Sequence, residues 1–364
     1  MDIDISEIRQ LLTIIKDPKT GLNIVDAGLV KDLFLEGTDL TLMIYSNNLD
    51  STEKSNLHQA VVYGIQADYP ELNINLHMVT KADQVDDKVS PLPQVKNIIA
   101  IASGKGGVGK STVSVNLAFA LNRLGYKVGI LDADVYGPSI PTMLGIKGQR
   151  PQITNVYGKP KLVPIEVSGV QTMSIGLIVE PEQAVVLRGP RLAGIIKQFI
   201  DDTVWDALDF LIVDLPPGTG DVQLTLVQSV PLSGAVIVTT PQEVAYADAV
   251  RALNMFRMEQ INVNVIGIVE NMAWFTPEEL PDSRYYIFGE GGGERLAKMS
   301  NSTVLGQIPI TMSLREAGDS GTSYQVSRVA GEEKVFEDIG KNLILQLNKI
   351  LSTMGKSKIV EVKS

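Results

Sequence analysis

The chain has 364 residues, 44% of them hydrophobic, with a formal net charge of −10 and a pI near 4.9. That length exceeds one typical domain, so two are expected, and the acidic balance argues against a broad nucleic-acid-binding face. Cysteine is absent, which excludes disulfides, thiolate metal sites and a cysteine nucleophile. There is no cationic, apolar leader and no uninterrupted apolar run long enough for a bilayer, so a cytoplasmic location is expected.

The N-terminal stretch reads as a small α+β unit over residues 1–80. "DISEIRQLLTIIKDP" places Ile5, Ile8, Leu11, Leu12 and Ile15 on one helical face, with Pro18 just beyond its end. Two strands joined at Glu36 to Asp39 follow, then a helix around "NLHQAVVYGIQADY" and a strand "LNINLHMVT". The charged "KADQVDDKVSPLPQ", with its two prolines, marks a linker over residues 81–94. A larger domain is expected over 95–354, with a tail at 355–364.

In the larger domain strand-like runs alternate with helical ones: "NIIAIAS", "KVGILDAD", "DFLIVDLPP", "GAVIVTTP" and "VNVIGIVEN". Such near-continuous apolar runs suit strands buried on both faces, so the fold class is α/β, a mostly parallel sheet covered by helices. Its ligands are expected beyond the carboxyl ends of the strands.

Between the first of these strands and the helical "TVSVNLAFALNRLGY" lies "ASGKGGVGKST". Gly104 to Ser111 fits G-x-x-x-x-G-K-[ST], a P-loop in which the backbone N–H groups of Gly104, Gly106, Gly107, Val108 and Gly109 turn inward around a phosphate chain. Lys110 is expected to reach the β and γ phosphates, Ser111 to hold Mg²⁺, and the helix that begins at Ser111 and Thr112 to direct its positive end at the same anion. A second lysine, Lys105, is not required by that motif.

Carboxylates at strand ends complete the expected site. "LDAD" ends one strand with Asp132 and Asp134, and "LIVDLPPGTGD" ends another with Asp214. Asp214 is assigned to magnesium and Asp134 to the attacking water, with Asp132 between the two roles; ordinary capping or strand-terminating duties are the alternative for each. Pro216, Pro217 and Gly218 form a stiff turn with a permissive residue after it, suited to a loop that senses the γ-phosphate.

"GKGGVGKST", "DADVYGPSIPTMLG", "RGPRLAGIIKQF", "LDFLIVDLPPGTGDVQLTL", "GAVIVTTPQEVAYADAVRALNMF" and "GIVENM" occur in that order. Together they resemble the Mrp/ApbC family of P-loop ATPases, relatives of MinD and ParA implicated in iron–sulfur cluster assembly. "DPKTGLNIVDAGLVKDL" likewise resembles the MIP18-type domain that precedes many bacterial members. The family resemblance implies a homodimer that binds and hydrolyses Mg·ATP. In it Lys105 reaches across the two-fold axis to the partner's nucleotide, Asn271 hydrogen-bonds the adenine, and Arg188 and Gln242 lie near the dimer face or switch loops. It also implies assembly or client proteins as partners; the acidic charge argues against nucleic acid, and turnover is expected to be slow because a switch needs no speed without its client.

The sequence departs from that family in one respect. Many members follow "ENM" with a C-x-x-C pair that binds an iron–sulfur cluster across the dimer. This chain has Pro277, Glu278, Glu279 and Leu280 there, and its only histidines are His58 and His77. Clusters need mostly thiolate ligands, so a cluster enters only through the resemblance. Two alternatives stay open: a MinD- or ParA-like ATPase acting on a protein client or membrane, and a metabolic P-loop enzyme, for which no acceptor motif is present. Trp274, Phe275, Tyr285, Tyr286 and Phe288 suit a partner-binding surface or the packing of their own loop. Leu343, Ile344, Leu347, Ile350 and Leu351 form one face of a terminal helix, which packing explains more simply than membrane binding.

Overall fold

The computed structural model describes residues 5–46, 49–79, 92–156, 158–178, 189–326 and 331–354. Arg188, the linker up to residue 91 and the tail after residue 354 lie outside them. Contacts divide the chain into two units, Met1–Lys88 and Val89–Ser364, a division that falls inside the stretch read as a linker.

In the first unit, α1 (Ile5–Leu12) and α2 (Ser51–Gln66) accompany a sheet in the order β1 (Val30–Glu36), β2 (Asp39–Tyr45), β3 (Asn73–Val79). β1 and β2 form an antiparallel hairpin that turns at Gly37, where φ is +64°, while β3 runs parallel to β2. Asp50 starts α2 as a capping box with Glu53. The first helix is shorter than its periodicity suggests. Ile8 and Leu12 are fully buried, but Ile5 is exposed and Ile15 lies beyond the last helical turn, where Asp17 folds the backbone back through bonds from Lys19 and Thr20.

The second unit is built on an eight-stranded sheet. Its strands are β4 (Val95–Ala102), β5 (Val128–Asp132), β8 (Ile165–Val167), β9 (Val170–Ser174), β10 (Leu208–Asp214), β11 (Gly234–Thr239), β12 (Val265–Phe275) and β13 (Val304–Ile310), and β6 (Gln152–Val156) pairs separately with β7 (Lys159–Val163). The order is β13-β12-β11-β4-β10-β5-β9-β8, parallel except at the β8–β9 edge. Residues of β5, β10 and β11 are nearly all buried, as both-face coverage requires.

Helices divide the interior into two apolar clusters. One contains Leu253 and Phe256 of α7 (Glu243–Arg257) and Ile196 and Phe199 of α5 (Gly189–Asp202), which follows the short α4 (Ile140–Met143). The other contains the buried face of α3 (Lys110–Arg123) and Phe336, Ile339, Leu343 and Leu347 of α11 (Glu332–Met354). The remaining helices are α6 (Asp221–Ser229), α8 (Gly292–Ser300), α9 (Met312–Ser320) and α10 (Ser323–Val326). The apolar stripe of the terminal helix is therefore core: Leu343 is fully buried, and Ile344, Ile350 and Leu351 pack against the same cluster. No helix among the described residues is long and apolar enough to cross a membrane.

Candidate nucleotide site

β4, β5 and β10 are adjacent, and their registers pair Asp214 with both Ile101 and Asp132. The P-loop leaves β4 at this level, so the three strand ends deliver phosphate loop and carboxylates to one place. Lys110 opens α3 behind Gly109, whose φ of +82° turns the chain into the helix, and Gly107 adopts φ +81°.

The loop is held from two sides. A Cβ on Gly104 would fall 2.0 Å from the backbone carbonyl carbon of Asp248, so this glycine lets the loop lie directly on α7. A Cβ on Gly109 would fall 2.2 Å from Nδ2 of Asn271, which donates to the Val108 carbonyl at 2.9 Å. Asn271 thus braces the P-loop from within β12.

Beneath the loop lies a buried charged cluster. Asp214 is fully buried, and its Oδ2 accepts from Lys110 Nζ at 2.8 Å and Ser111 Oγ at 2.6 Å, while Oδ1 accepts from Ser114 Oγ at 2.5 Å. Ser114, one helical turn beyond Lys110, was not singled out in the sequence; its i+4 spacing was the available signal. Asp134 stands 3.7 Å from Lys110 Nζ. Asp132 is also fully buried, accepting from Ser174 Oγ at 2.8 Å and the Asp134 N–H at 3.1 Å. The last contact makes Asp132 the prop of the Asp134 loop.

Burial pushes the Asp132 carboxyl up to about 8, and the negative charge of Asp214 adds to the rise. Burial also raises Asp134, although Lys110 opposes it. The folded chain therefore holds a proton on Asp132 that the unfolded chain releases near its ordinary value. Stability of the nucleotide-free protein is expected to fall as pH rises from about 4 to about 8, because the native state then binds more protons than the unfolded one. Thermal unfolding along that range would show a declining midpoint, and Asp132→Asn should flatten the decline.

Above this cluster opens a cavity of about 540 Å³. The P-loop from Ser103 to Thr112 forms one wall, including Lys105, Lys110 and Ser111; Asp134 and Pro217 close two sides, and Arg315 and Asp319 of α9 the fourth. The contents suit a polyphosphate and its cation: a glycine-rich loop, two lysines, a hydroxyl at a helix start and a carboxylate bonded to it. No group of three acidic or histidine side chains among the described residues could hold a metal ion alone. Magnesium does not require such a group, since it keeps several waters and takes substrate phosphates as ligands.

A parallel sheet with a phosphate loop after a central strand and acidic neighbouring strand ends defines a P-loop NTPase. The family model of ParA, described as NUBPL iron-transfer P-loop NTPase, matches residues 94–344, and the chain belongs to that family. An iron–sulfur cluster carrier protein of Synechocystis is 45% identical over 320 residues, covering 86% of this chain and 89% of the relative. One of Escherichia coli K12 is 48% identical over 254 residues, covering 70% and 67%. Among solved structures, a nucleotide-binding protein of Archaeoglobus fulgidus in complex with ADP is 39% identical, with a TM-score of 0.56 over 65% of this chain and 90% of that one. The Pyrococcus furiosus cell division ATPase MinD, 22% identical with a TM-score of 0.51 over 69% of this chain and 99% of that one, shares the fold.

The segment from Trp274 to Phe288 is a hairpin-like loop. Phe275 and Tyr285 exchange backbone hydrogen bonds at 2.9 and 2.8 Å, and Arg284 lies 4.3 Å from the centroid of the Trp274 ring. Leu280, Tyr285, Tyr286 and Ile287 are exposed, while Trp274, Phe275 and Phe288 are half-buried. The aromatics therefore divide, Trp274, Phe275 and Phe288 against the loop and Tyr285 and Tyr286 outward.

Proposed function

We propose that the protein is a magnesium-dependent ATPase that works as a homodimeric switch in iron–sulfur cluster carriage, in the cytoplasm. The observation that carries this reading is the convergence of Lys110, Ser111 and Asp214 beneath a phosphate-sized cavity in a chain of this family. Lys110 exchanges its bond to Asp214 for the β and γ phosphates. Ser111, with Asp214 beneath it, holds the magnesium, which supplies neutralisation of the phosphate charge. Asp134 orients the attacking water, and Asp132 fixes the loop that carries it. The carbonyl oxygen of Asn271 serves the adenine while its amide nitrogen stays on Val108. Lys105, which has no ion pair among the described residues, acts on the partner's nucleotide, the role an arginine finger plays elsewhere.

The cluster is cargo in this reading, and thiolates for it come from other proteins. A chain without cysteine has no thiolates to offer, and Pro277 to Leu280 stand where the resemblance implies a cysteine pair. Anaerobic incubation of the purified protein with iron and sulfide, with and without Mg·ATP, tests this by metal analysis and visible absorption. The expected result is intact ATP hydrolysis and no stoichiometric cluster on the chain alone, with cluster transfer appearing when a thiolate-bearing donor is added. Hydrolysis without any effect on transfer would favour a second reading, a switch for a protein client without cluster cargo. The exposed Leu280, Tyr285, Tyr286 and Ile287 favour that reading too.

A further inference from the structure

On the other side of α9 from the phosphate cavity lies a second cleft, of about 570 Å³. Where Arg315 and Asp319 face the first, Met312, Ser313 and Glu316 face the second. Glu278 and Glu279 of the hairpin-like loop form its lip, and Glu332, the first residue of α11, forms part of its floor. Phe275, Pro277, Ile310 and Met312 supply apolar walls. Among the described residues no lysine, arginine or histidine lines it.

Glu332 is the informative side chain. It retains only 8% of its surface, its Oε1 accepts from the Ser313 hydroxyl, and its Oε2 is buried without any hydrogen-bond partner. A buried carboxylate oxygen left without a donor costs free energy, even beside the favourable N-terminus of a helix. A ligand that brings an N–H donor recovers that cost. Among the other carboxylates, Glu316 is exposed and already shared with Arg315 at 2.8 Å. The cleft is thus an electronegative slot with apolar sides.

We propose that this cleft receives an arginine or lysine side chain from a partner polypeptide, with Glu332 as its anchor. A metal ion is a poor match, since no three acidic groups among the described residues are close enough to enclose one. A guanidinium is a good match, because its planar fork of five donors addresses several dispersed carboxylates at once. The cleft is also larger than a single cation needs. The apolar walls suit the aliphatic stem of such a side chain and a neighbouring residue, which points to a chain segment rather than a free ion. This inference rests on the client-handling reading above, for the cleft adjoins the loop that exposes Leu280, Tyr285, Tyr286 and Ile287.

The test uses the full-length protein and two synthetic peptides, acetyl-Gly-Leu-Arg-Leu-Gly-amide and the same peptide with citrulline, which keeps the shape and removes the charge. Calorimetric titration is expected to show binding of the arginine peptide at least tenfold tighter than the citrulline peptide. Glu332→Gln should weaken the arginine peptide about tenfold and leave the affinity for Mg·ATP unchanged. Glu278→Gln/Glu279→Gln, on the exposed lip, should weaken it more modestly and guards against a folding defect in the first variant. Equal binding or no binding of the two peptides would overturn the proposal. So would a Glu332→Gln protein that binds the arginine peptide normally. A loss of Mg·ATP affinity in that variant without a loss of peptide affinity would also overturn it, assigning the cleft to the nucleotide's base instead. Because ATP affinity is read separately, failure of the docking proposal leaves the ATPase reading standing.

Discussion

Replacing Lys110 with alanine is expected to abolish ATP binding and hydrolysis together, whereas replacing Lys105 should leave binding within about twofold and cut hydrolysis by roughly 10³, the lower end for a trans-acting cation. The physical difference lies in where each ammonium group spends its time. Lys110 is 6% exposed and bonded to Asp214, so its removal takes away the phosphate contact and strands a buried carboxylate with only hydroxyl donors. A broken buried pair costs about 3–5 kcal/mol, so the Lys110→Ala protein should also melt earlier. Lys105 is half-buried with no ion pair among the described residues, and its loss should leave the melting temperature unchanged. Equilibrium nucleotide binding, single-turnover hydrolysis and thermal unfolding on the two variants separate these effects. Equal loss of binding in both would remove Lys105 from any role across a dimer.

Gly104→Ala is expected to destabilise the ATPase unit by about 3 kcal/mol or more, the range for overpacking against an element that cannot yield. The added methyl would overlap the carbonyl carbon and oxygen of Asp248 at 2.0 and 2.1 Å, and both belong to the backbone of α7. Gly106 provides the control. Its nearest neighbour would be Pro217 Cγ at 4.0 Å and its φ is not positive, so Gly106→Ala should fold with near-normal stability. Denaturant unfolding of both variants decides the matter; equal stabilities would mean that the loop does not lie on α7 in solution.

Those two glycines show how far the sequence could be read. The motif identified the loop, its lysine, its serine and the acidic strand ends, because spacing along one chain encodes them. It could not distinguish Gly104 from Gly106, since the distinction is made by a helix more than 130 residues away. The central strands β4, β5, β10, β11 and β12 were legible as apolar runs. β13, with Gly306, Gln307 and Pro309, and the edge strand β8 were not, since partly exposed edges lack that continuous signature; β9 is buried, but "VQTMS" is too polar to read as an apolar run. Asn271 was named for a base by family likeness, but its bond to Val108 joins residues 163 apart and no local pattern announces it. Glu332 gave no signal either, because its significance lies in a missing partner, which only packing reveals.

The double fastening of the P-loop, to α7 at Gly104 and to Asn271 at Gly109, bears on how this molecule can report what it holds. A loop held at both ends has little freedom to follow a phosphate chain placed on it. On the proposed function, a signal from the third phosphate would leave through the segment after Asp134, since the Pro216–Pro217–Gly218 turn is itself bonded to the base of the loop, Gly218 N–H to the Ser103 carbonyl at 2.9 Å. If the proposed function holds, the carboxylates that end β5 and β10 would be both the chemistry and the start of the signal.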